Sequence, residues 1–332
     1  MTNSGTPDAA DPATQRFGFG HGRPKPKPLP VIGLDVGGTA MKGLLVRLTP
    51  DAPPEVMAGV RRQTPVADGP DAIVATMADA MSELRSHAIT YGSQPPAFGG
   101  AVAPGIVDED AGVVVNAVNL GLVNVPLAET LSKATDMTVV AGHDVRAGGL
   151  AEATVGAGRG HQNVLFVPLG TGIAASCLVD GRPLVAGGYA GELGHVVVVP
   201  DGEPCPCGQR GCLERYASAA AVARRYRERS GHAVAGAAQV VARLADDPVA
   251  RQVWDEATDT LSTALLLSCA LLGPEVVVLG GGLAQAGDAL LDPVREQLAA
   301  RMTFHRRPAV VAAALGDQAG ALGAAIMASR AG

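Results

Sequence analysis

The sequence lacks any apolar run long enough to cross a membrane. Its longest, "TALLLSCALLGPEVVVLGGG" (263–282), is broken at Gly273 and Pro274, short of the roughly 20 residues that a spanning helix needs. Residues 1–30 also lack the apolar core of a secretory signal, which places the expected location in the reducing cytoplasm. Cysteine is scarce, five in 332 residues, and in that compartment clustered cysteines hold metals more often than they form disulfides. There is no excess of positive charge. With 26 Lys and Arg against 32 Asp and Glu the net charge is −6, which argues against a general nucleic-acid surface and sets no barrier to a small neutral substrate. Aromatics are few, with five Phe, four Tyr and one Trp, a bias that a GC-rich genome accounts for as readily as function does. What is present is 47% hydrophobic residues, enough to fill the core of one large domain or two ordinary ones. Residues 1–30, ending "GHGRPKPKPLP", are rich in Pro, Gly and polar residues and read as a disordered leader.

Beyond that leader, apolar strands alternate with helical periods. "VIGLDV" (31–36) is a buried-strand pattern running into Gly37-Gly38-Thr39, and "MKGLLVRL" (41–48) resumes it, so the glycines sit at a hairpin bend. A helical period over 70–90, a strand at 97–102, a helix at 127–135, a strand at 137–141 and a helix over 144–157 follow. "NVLFVPLGTG" (163–172) then repeats the opening, with a second strand segment at 173–179. Helical stretches at 214–230, 235–245 and 249–272 lead to a third strand that delivers glycines, "EVVVLGGG" (275–282). A helix at 287–302, a strand at 309–315 and a helix from about 318 complete the chain. The pattern predicts an α/β protein with helices on both faces of its sheets, and two similar halves, starting near 31 and 163, that face each other across a cleft.

Three glycine turns after three buried strands form the first chemical pattern. Glycines let a main chain approach a phosphate tail closely, because no Cβ intervenes. At the first turn Thr39 and Lys42 add a hydroxyl and a positive charge, and Asp35 is placed to hold magnesium through water; a plain Gly-Gly hairpin would look the same. Gly170, Thr171 and Gly172 form the second turn, and Gly280, Gly281 and Gly282 the third. Asp144 follows a buried strand and starts a helix. A carboxylate there can be an ordinary N-cap, or a base at the strand ends where α/β proteins put their sites. Finally, "HVVVVPDGEPCPCGQRGC" (195–212) brings His195, Cys205, Cys207 and Cys212 together, one imidazole and three thiols, the ligand count of a closed tetrahedral zinc site. A chance cluster and a redox pair are the competing readings. Cys177 and Cys269, in apolar surroundings, read as packing residues.

Together these motifs resemble the ROK family (repressors, open reading frames and kinases), within the actin-like sugar kinase superfamily, from about Val31 to the C-terminus. The most specific piece is "GYAGELGHVVVVPDGEPCPCGQRGCLERYAS" (188–218), similar to the family's sugar-and-zinc motif, with Glu192, His195, the three cysteines and Glu214 in register. The resemblance implies a two-domain actin-like ATPase (ribonuclease H-like) fold with an interdomain cleft and a structural zinc loop. It implies a smaller domain of residues 31–146 plus about 317–330, and a larger one of 147–316. It implies that Asp144 is the catalytic base, that Glu192 and Glu214 accept hydrogen bonds from a sugar, and that His195 binds zinc while positioning a sugar hydroxyl. The first two glycine turns then bind phosphates, and Gly280–Gly282 lie near the adenosine. "APGIVDEDAGVVVNAVNLGLVNVPL" (103–127) resembles the sugar-binding hairpin and loop, with Asn119 as a sugar contact.

Two positions depart from the family pattern. His143-Asp144-Val145-Arg146 stands where the family has Asn-Asp-Ala-Asn, so His143 takes the place of a sugar-contacting Asn, and Leu122 replaces a Trp. The implied activity is that of a glucokinase, with ATP, Mg²⁺ and structural Zn²⁺. The alternatives are an N-acetylglucosamine or N-acetylmannosamine kinase, polyphosphate as donor, a non-catalytic sugar sensor, and a transcriptional regulator. A regulator would carry a winged helix-turn-helix ahead of Val31, where the thirty Pro-rich residues show no helical period. No nucleic-acid or membrane partner is expected, and the family suggests a homo-oligomer, a dimer or a tetramer.

Overall fold

The computed structural model describes residues 29–49 and 52–331; the leader expected over 1–30 lies outside the described residues except for Leu29 and Pro30. The first half opens with β1 (Pro30–Val36) and β2 (Ala40–Arg47), which pair antiparallel around the Gly37–Thr39 bend. An edge strand, β3 (Glu55–Gln63), follows, then helix α1 (Pro70–Thr90). Pro70 sits in the first turn of α1, and its apolar positions 73, 77, 80, 81, 84 and 88 recur at helical spacing, so one stripe is buried. Next come β4 (Phe98–Ala103) and a small meander of β5 (Ile106–Asp108), β6 (Val113–Ala117) and β7 (Leu122–Val125). Helix α2 (Leu127–Thr135), β8 (Thr138–His143) and α3 (Asp144–Val155) complete this half.

The second half starts at β9 (Val164–Pro168), β10 (Ser176–Val179) and β11 (Arg182–Pro183). Helices α4 (Glu214–Ala217), α5 (Ala219–Ser230), α6 (Ala237–Val241) and α7 (Pro248–Leu272) follow the cysteine-rich loop. β12 (Val276–Gly280), α8 (Asp288–Arg301), β13 (Ala309–Ala312) and α9 (Ala319–Ala331) close the chain.

The two main sheets have the same construction. Their orders are β3-β2-β1-β4-β8 and β11-β10-β9-β12-β13. In each, the first three strands in sequence are antiparallel, and the next two run parallel to the first. The expected repetition at 31 and 163 is therefore a repetition of topology. Helices α3 and α9 pack on each other between the sheets. Their residues Leu150, Ala151, Leu322 and Ile326 share one buried cluster with Val31 and Val46 of the first sheet and Phe166, Val276 and Val278 of the second. Helix α9 lies so close to its strands that a Cβ at Gly33 would fall 1.9 Å from the Ala321 carbonyl oxygen and one at Gly100 2.0 Å from that of Ala324. On the far side of the first sheet, α1 and α2 bury Met77, Met81, Leu84 and Leu131. On the far side of the second, α5 and α7 bury Tyr226 and Trp254. Cys269 is buried in that layer and Cys177 packs against it half-buried.

Differences from the expected elements have local causes. β3 has no alternating apolar pattern and is largely exposed, so periodicity does not reveal it. The helix expected over 214–230 is interrupted at Ser218, whose extended backbone and side chain cap α5 by accepting the Ala221 N–H at 3.0 Å.

Candidate functional site

The site is built where the carboxyl ends of the parallel strands meet the hairpin turns. At the first turn the Gly37 N–H donates to the Ala40 carbonyl at 3.0 Å, closing the bend. Thr64, which the sequence did not single out, fixes that bend from β3's end: its hydroxyl donates to the Gly37 carbonyl at 2.6 Å and its N–H to the Thr39 carbonyl at 3.1 Å. Asp35 stands opposite Lys42 in the hairpin register. The Lys42 Nζ reaches Asp317 Oδ2 at 3.2 Å, and Arg61 comes within 3.6 Å of the same oxygen. Asp317, just ahead of α9, was also missed in the sequence, because nothing local marks it; only the packing of α9 on β1 brings it here.

Asp35 and Asp144 come together through the sheet. Asp35 is level with Val102 of β4, and the next residue of β4, Ala103, is level with His143, which Asp144 follows. Burial pushes the Asp35 carboxyl up to about 7, and the negative charge of Asp144 adds to the shift. Lys42 opposes it, and Asp317 contributes in the same direction as Asp144. Asp144 opens α3, and one of its oxygens accepts the Val145 N–H at 2.7 Å. His143 supplies the helix cap, its Nδ1 accepting from the N–H groups of Val145 and Arg146 at 3.2 and 3.4 Å. Burial holds the His143 ring below its ordinary value, against the opposing pull of Asp144; Arg146 lowers it further, while Glu192 and Glu109 raise it. Those interactions put Glu192, from the second half, within electrostatic reach of His143. Asn119 lies on the other flank, where a Cβ at Gly38 would come within 3.8 Å of its carbonyl oxygen.

In the second sheet the other two glycine turns pack on each other. The Gly170 N–H donates to the Gly172 carbonyl at 3.0 Å, and the Leu169 N–H to that of Gly280 at 2.8 Å. Gly281 has φ +76, and a Cβ there would lie 2.5 Å from the Leu169 carbonyl oxygen, so a side chain at this position is both strained and obstructed. Glu214, at the start of α4, turns one oxygen onto the Ile173 N–H at 2.8 Å, which joins this expected sugar ligand to the turn of Gly170, Thr171 and Gly172. Among the described residues no hydrogen bond connects the Gly37–Thr39 turn with the Gly170–Gly172 turn; each ends its own sheet.

His195, Cys205, Cys207 and Cys212 converge, their ligand atoms all within 4.8 Å of one another. Cys207 and Cys212 sulfurs are 3.7 Å apart, and the Cys205 sulfur is 3.8 Å from His195 Nδ1. A tetrahedral zinc with bonds near 2.3 Å sets its sulfurs about 3.8 Å apart, so the group could hold a metal ion of that kind. The other ring nitrogen of His195, Nε2, lies 4.0 Å from Glu192 Oε2. One imidazole therefore faces the cysteines with one edge and the expected sugar ligand with the other. Asn119 and Gly38, Asp35 and Asp144, His143 and Glu192, and Glu192 and His195 are thus neighbours pair by pair. The arrangement brings together carboxylates, glycine turns and hydrogen-bonding side chains.

Known proteins are similar to this chain in sequence and in fold. The sequence profile of the ROK family matches residues 31–331. A glucokinase from Thermotoga maritima is 34% identical over 89% of this chain and 96% of its own length. An N-acetylmannosamine kinase from Escherichia fergusonii is 30% identical over 90% of this chain and 97% of its own. Among solved structures, a ROK family glucokinase from Streptomyces griseus, in complex with glucose and AMPPNP, superposes with a TM-score of 0.73 at 29% identity. The match covers 91% of this chain and 99% of that one.

Proposed function

This chain belongs to the ROK family, and we propose that it is an ATP-dependent hexokinase of glucokinase type, transferring the γ-phosphate of ATP to the 6-hydroxyl of glucose. The observation that carries the reading is Asp144, a carboxylate at the start of α3 between Asp35 of the first phosphate turn and the His143–Glu192 flank. The relatives named as glucokinases, and the glucose and AMPPNP in the Streptomyces griseus structure, support the choice of substrates.

In this mechanism glucose is held by Asn119, Glu192, His195 and Glu214, with His143 capping the helix beside it. Asp144 accepts the proton of the 6-hydroxyl as that oxygen forms its bond to the γ-phosphorus, and the bond to the bridging oxygen of ADP breaks. The turns at Gly37–Thr39 and Gly170–Gly172 present backbone N–H groups to the phosphates from the two sheets, while Gly280–Gly282 border the adenosine. Lys42 adds positive charge near the first turn. Most of the acceleration comes from positioning and fixed electrostatics as the two lobes close and exclude water. Asp35 is the carboxylate we assign to magnesium, through water; an oxygen donor beside the negative charge of Asp144 and Asp317 suits a hard cation. When bound, the ion neutralises charge on the phosphates. The His195–Cys205–Cys207–Cys212 group is assigned to a structural zinc that stiffens the loop presenting Glu192 and His195 and takes no part in the transfer.

A coupled ADP-release assay over glucose, mannose, N-acetylglucosamine and N-acetylmannosamine, with ATP or polyphosphate as donor, tests the proposal. Glucose with ATP is expected to give the highest kcat/KM. The N-acetylmannosamine kinase relative and the replacement of Asn by His143 favour a second reading, and a higher kcat/KM on that sugar would establish it. No turnover with any of these sugars would refute both.

A further inference from the structure

Arg146 is buried, with 3% of its surface exposed, in the first turn of α3. Its Nε donates to Glu109 Oε1 at 2.7 Å. The same Glu109 oxygen accepts the backbone N–H of His143, the residue before Asp144, at 3.2 Å. From another edge of the guanidinium, Nη1 donates to the Gly188 carbonyl at 3.3 Å. Nη2 is buried and has no partner among the described residues. The fork is thus not closed on one carboxylate, as in a bidentate pair. It is divided between the turn after β5, which carries Glu109, and the second-half turn at Gly188, four residues before Glu192.

We propose that Glu109 and Arg146 form a positioning clamp for the sugar side of the site. It ties the Gly142–His143 peptide, one residue ahead of Asp144, to the hairpin after β5 and to the second-half turn at Gly188, which precedes Glu192 by four residues. Only an arginine can do this from position 146. A planar fork reaches two acceptors in fixed directions, whereas a lysine offers one flexible point charge. Glu109 cannot be lost without leaving a buried guanidinium short of its counter-charge. Neither residue touches the substrates in this scheme; they act through the placement of Asp144 and Glu192. The inference rests on the sugar-kinase reading above.

The test compares R146K, E109D, the singles E109Q and R146M, and the double variant E109Q/R146M with the wild type, using glucose and MgATP. R146K and E109D keep the charges and the fold but shorten or unfork the bridge. Each is expected to raise the glucose KM on the order of tenfold or more and to lower kcat, with the ATP KM held within about twofold. The double variant is expected to be no worse than the poorer single variant, because both singles break one unit. A thermal midpoint and metal content like the wild type's show that the loss is not one of folding. An unchanged glucose KM in R146K and E109D refutes the clamp, as does an equal rise in both KM values or an additive double variant. A wild-type protein that phosphorylates no sugar refutes the kinase reading instead, so the two failures are distinguishable.

Discussion

Asp35 allows the energetics of the site to be measured without substrate. Its carboxyl rises from 3.8 to about 7 on folding, through burial and the neighbouring charges of Asp144 and Asp317. The native state therefore keeps a proton on Asp35 where the unfolded chain has lost it. With the folded value above the unfolded one, this group's contribution to stability is fully present below pH 4, is lost as pH rises through 7, and is constant above about pH 8. A shift from 3.8 to about 7 corresponds to about 4 kcal/mol. Water still reaches part of the side chain from the cleft, which reduces the expectation to about 2 kcal/mol. Asp35→Asn removes the titration while keeping the shape. The variant is expected to be more stable than the wild type by about 2 kcal/mol at pH 8, and by less than about 1 kcal/mol at pH 4. Urea unfolding of both proteins at half-unit steps between pH 4 and pH 8 measures the gap. Magnesium is left out, and so is any chelator, which would compete for a metal proposed at the cysteine cluster. The same substitution is expected to cripple phosphoryl transfer, as a residue kept for function against stability should. If Asp35→Asn is no more stable at pH 8, or if the gap does not widen with pH, then the carboxyl is not held in a desolvated, negatively charged setting and its assignment to magnesium loses its basis.

Asp144→Asn is expected to lower kcat by about 10²–10⁴-fold while glucose binding stays measurable by calorimetry; full activity would remove Asp144 from the role of base. Removing zinc with a thiol-competing chelator, or Cys207→Ala, is expected to weaken glucose binding and lower the thermal midpoint together, with ATP-analogue binding largely kept. Normal glucose affinity in a metal-free sample would separate the cysteines from the sugar pocket. Gly281→Ala adds a Cβ 2.5 Å from the Leu169 carbonyl oxygen at φ +76 and is expected to cost about 1–3 kcal/mol and to raise the ATP KM; wild-type behaviour in urea unfolding and kinetics would contradict the packing of the third glycine turn on the second.

What could be read locally was read well. Glycines after apolar runs marked all three turns, since a bend after a buried strand needs both the pattern and the freedom at the same place. The cysteine cluster and Asp144 were also legible, because ligand spacing and a strand-to-helix junction are short-range features. Edge strand β3 was not, because an exposed strand carries no alternating signal. Thr64, Glu109 and Asp317 escaped for a related reason. Each is an unremarkable polar residue in its own segment, given a role by a partner 27 residues away at Gly37, 37 at Arg146 and 275 at Lys42.

The sequence by itself determined the α/β alternation, the three glycine turns, the clustering of His195 with three cysteines and the family resemblance. The tertiary structure alone decided that the buried Asp35 carboxyl lies near Asp144, that Glu214 binds the second turn's backbone, and that Arg146 spans two elements. Hydrophobic periodicity records only which face of an element is buried. The direction in which a buried charge points, and what it meets there, follow from how α3 and α9 pack between two sheets, which no local pattern encodes.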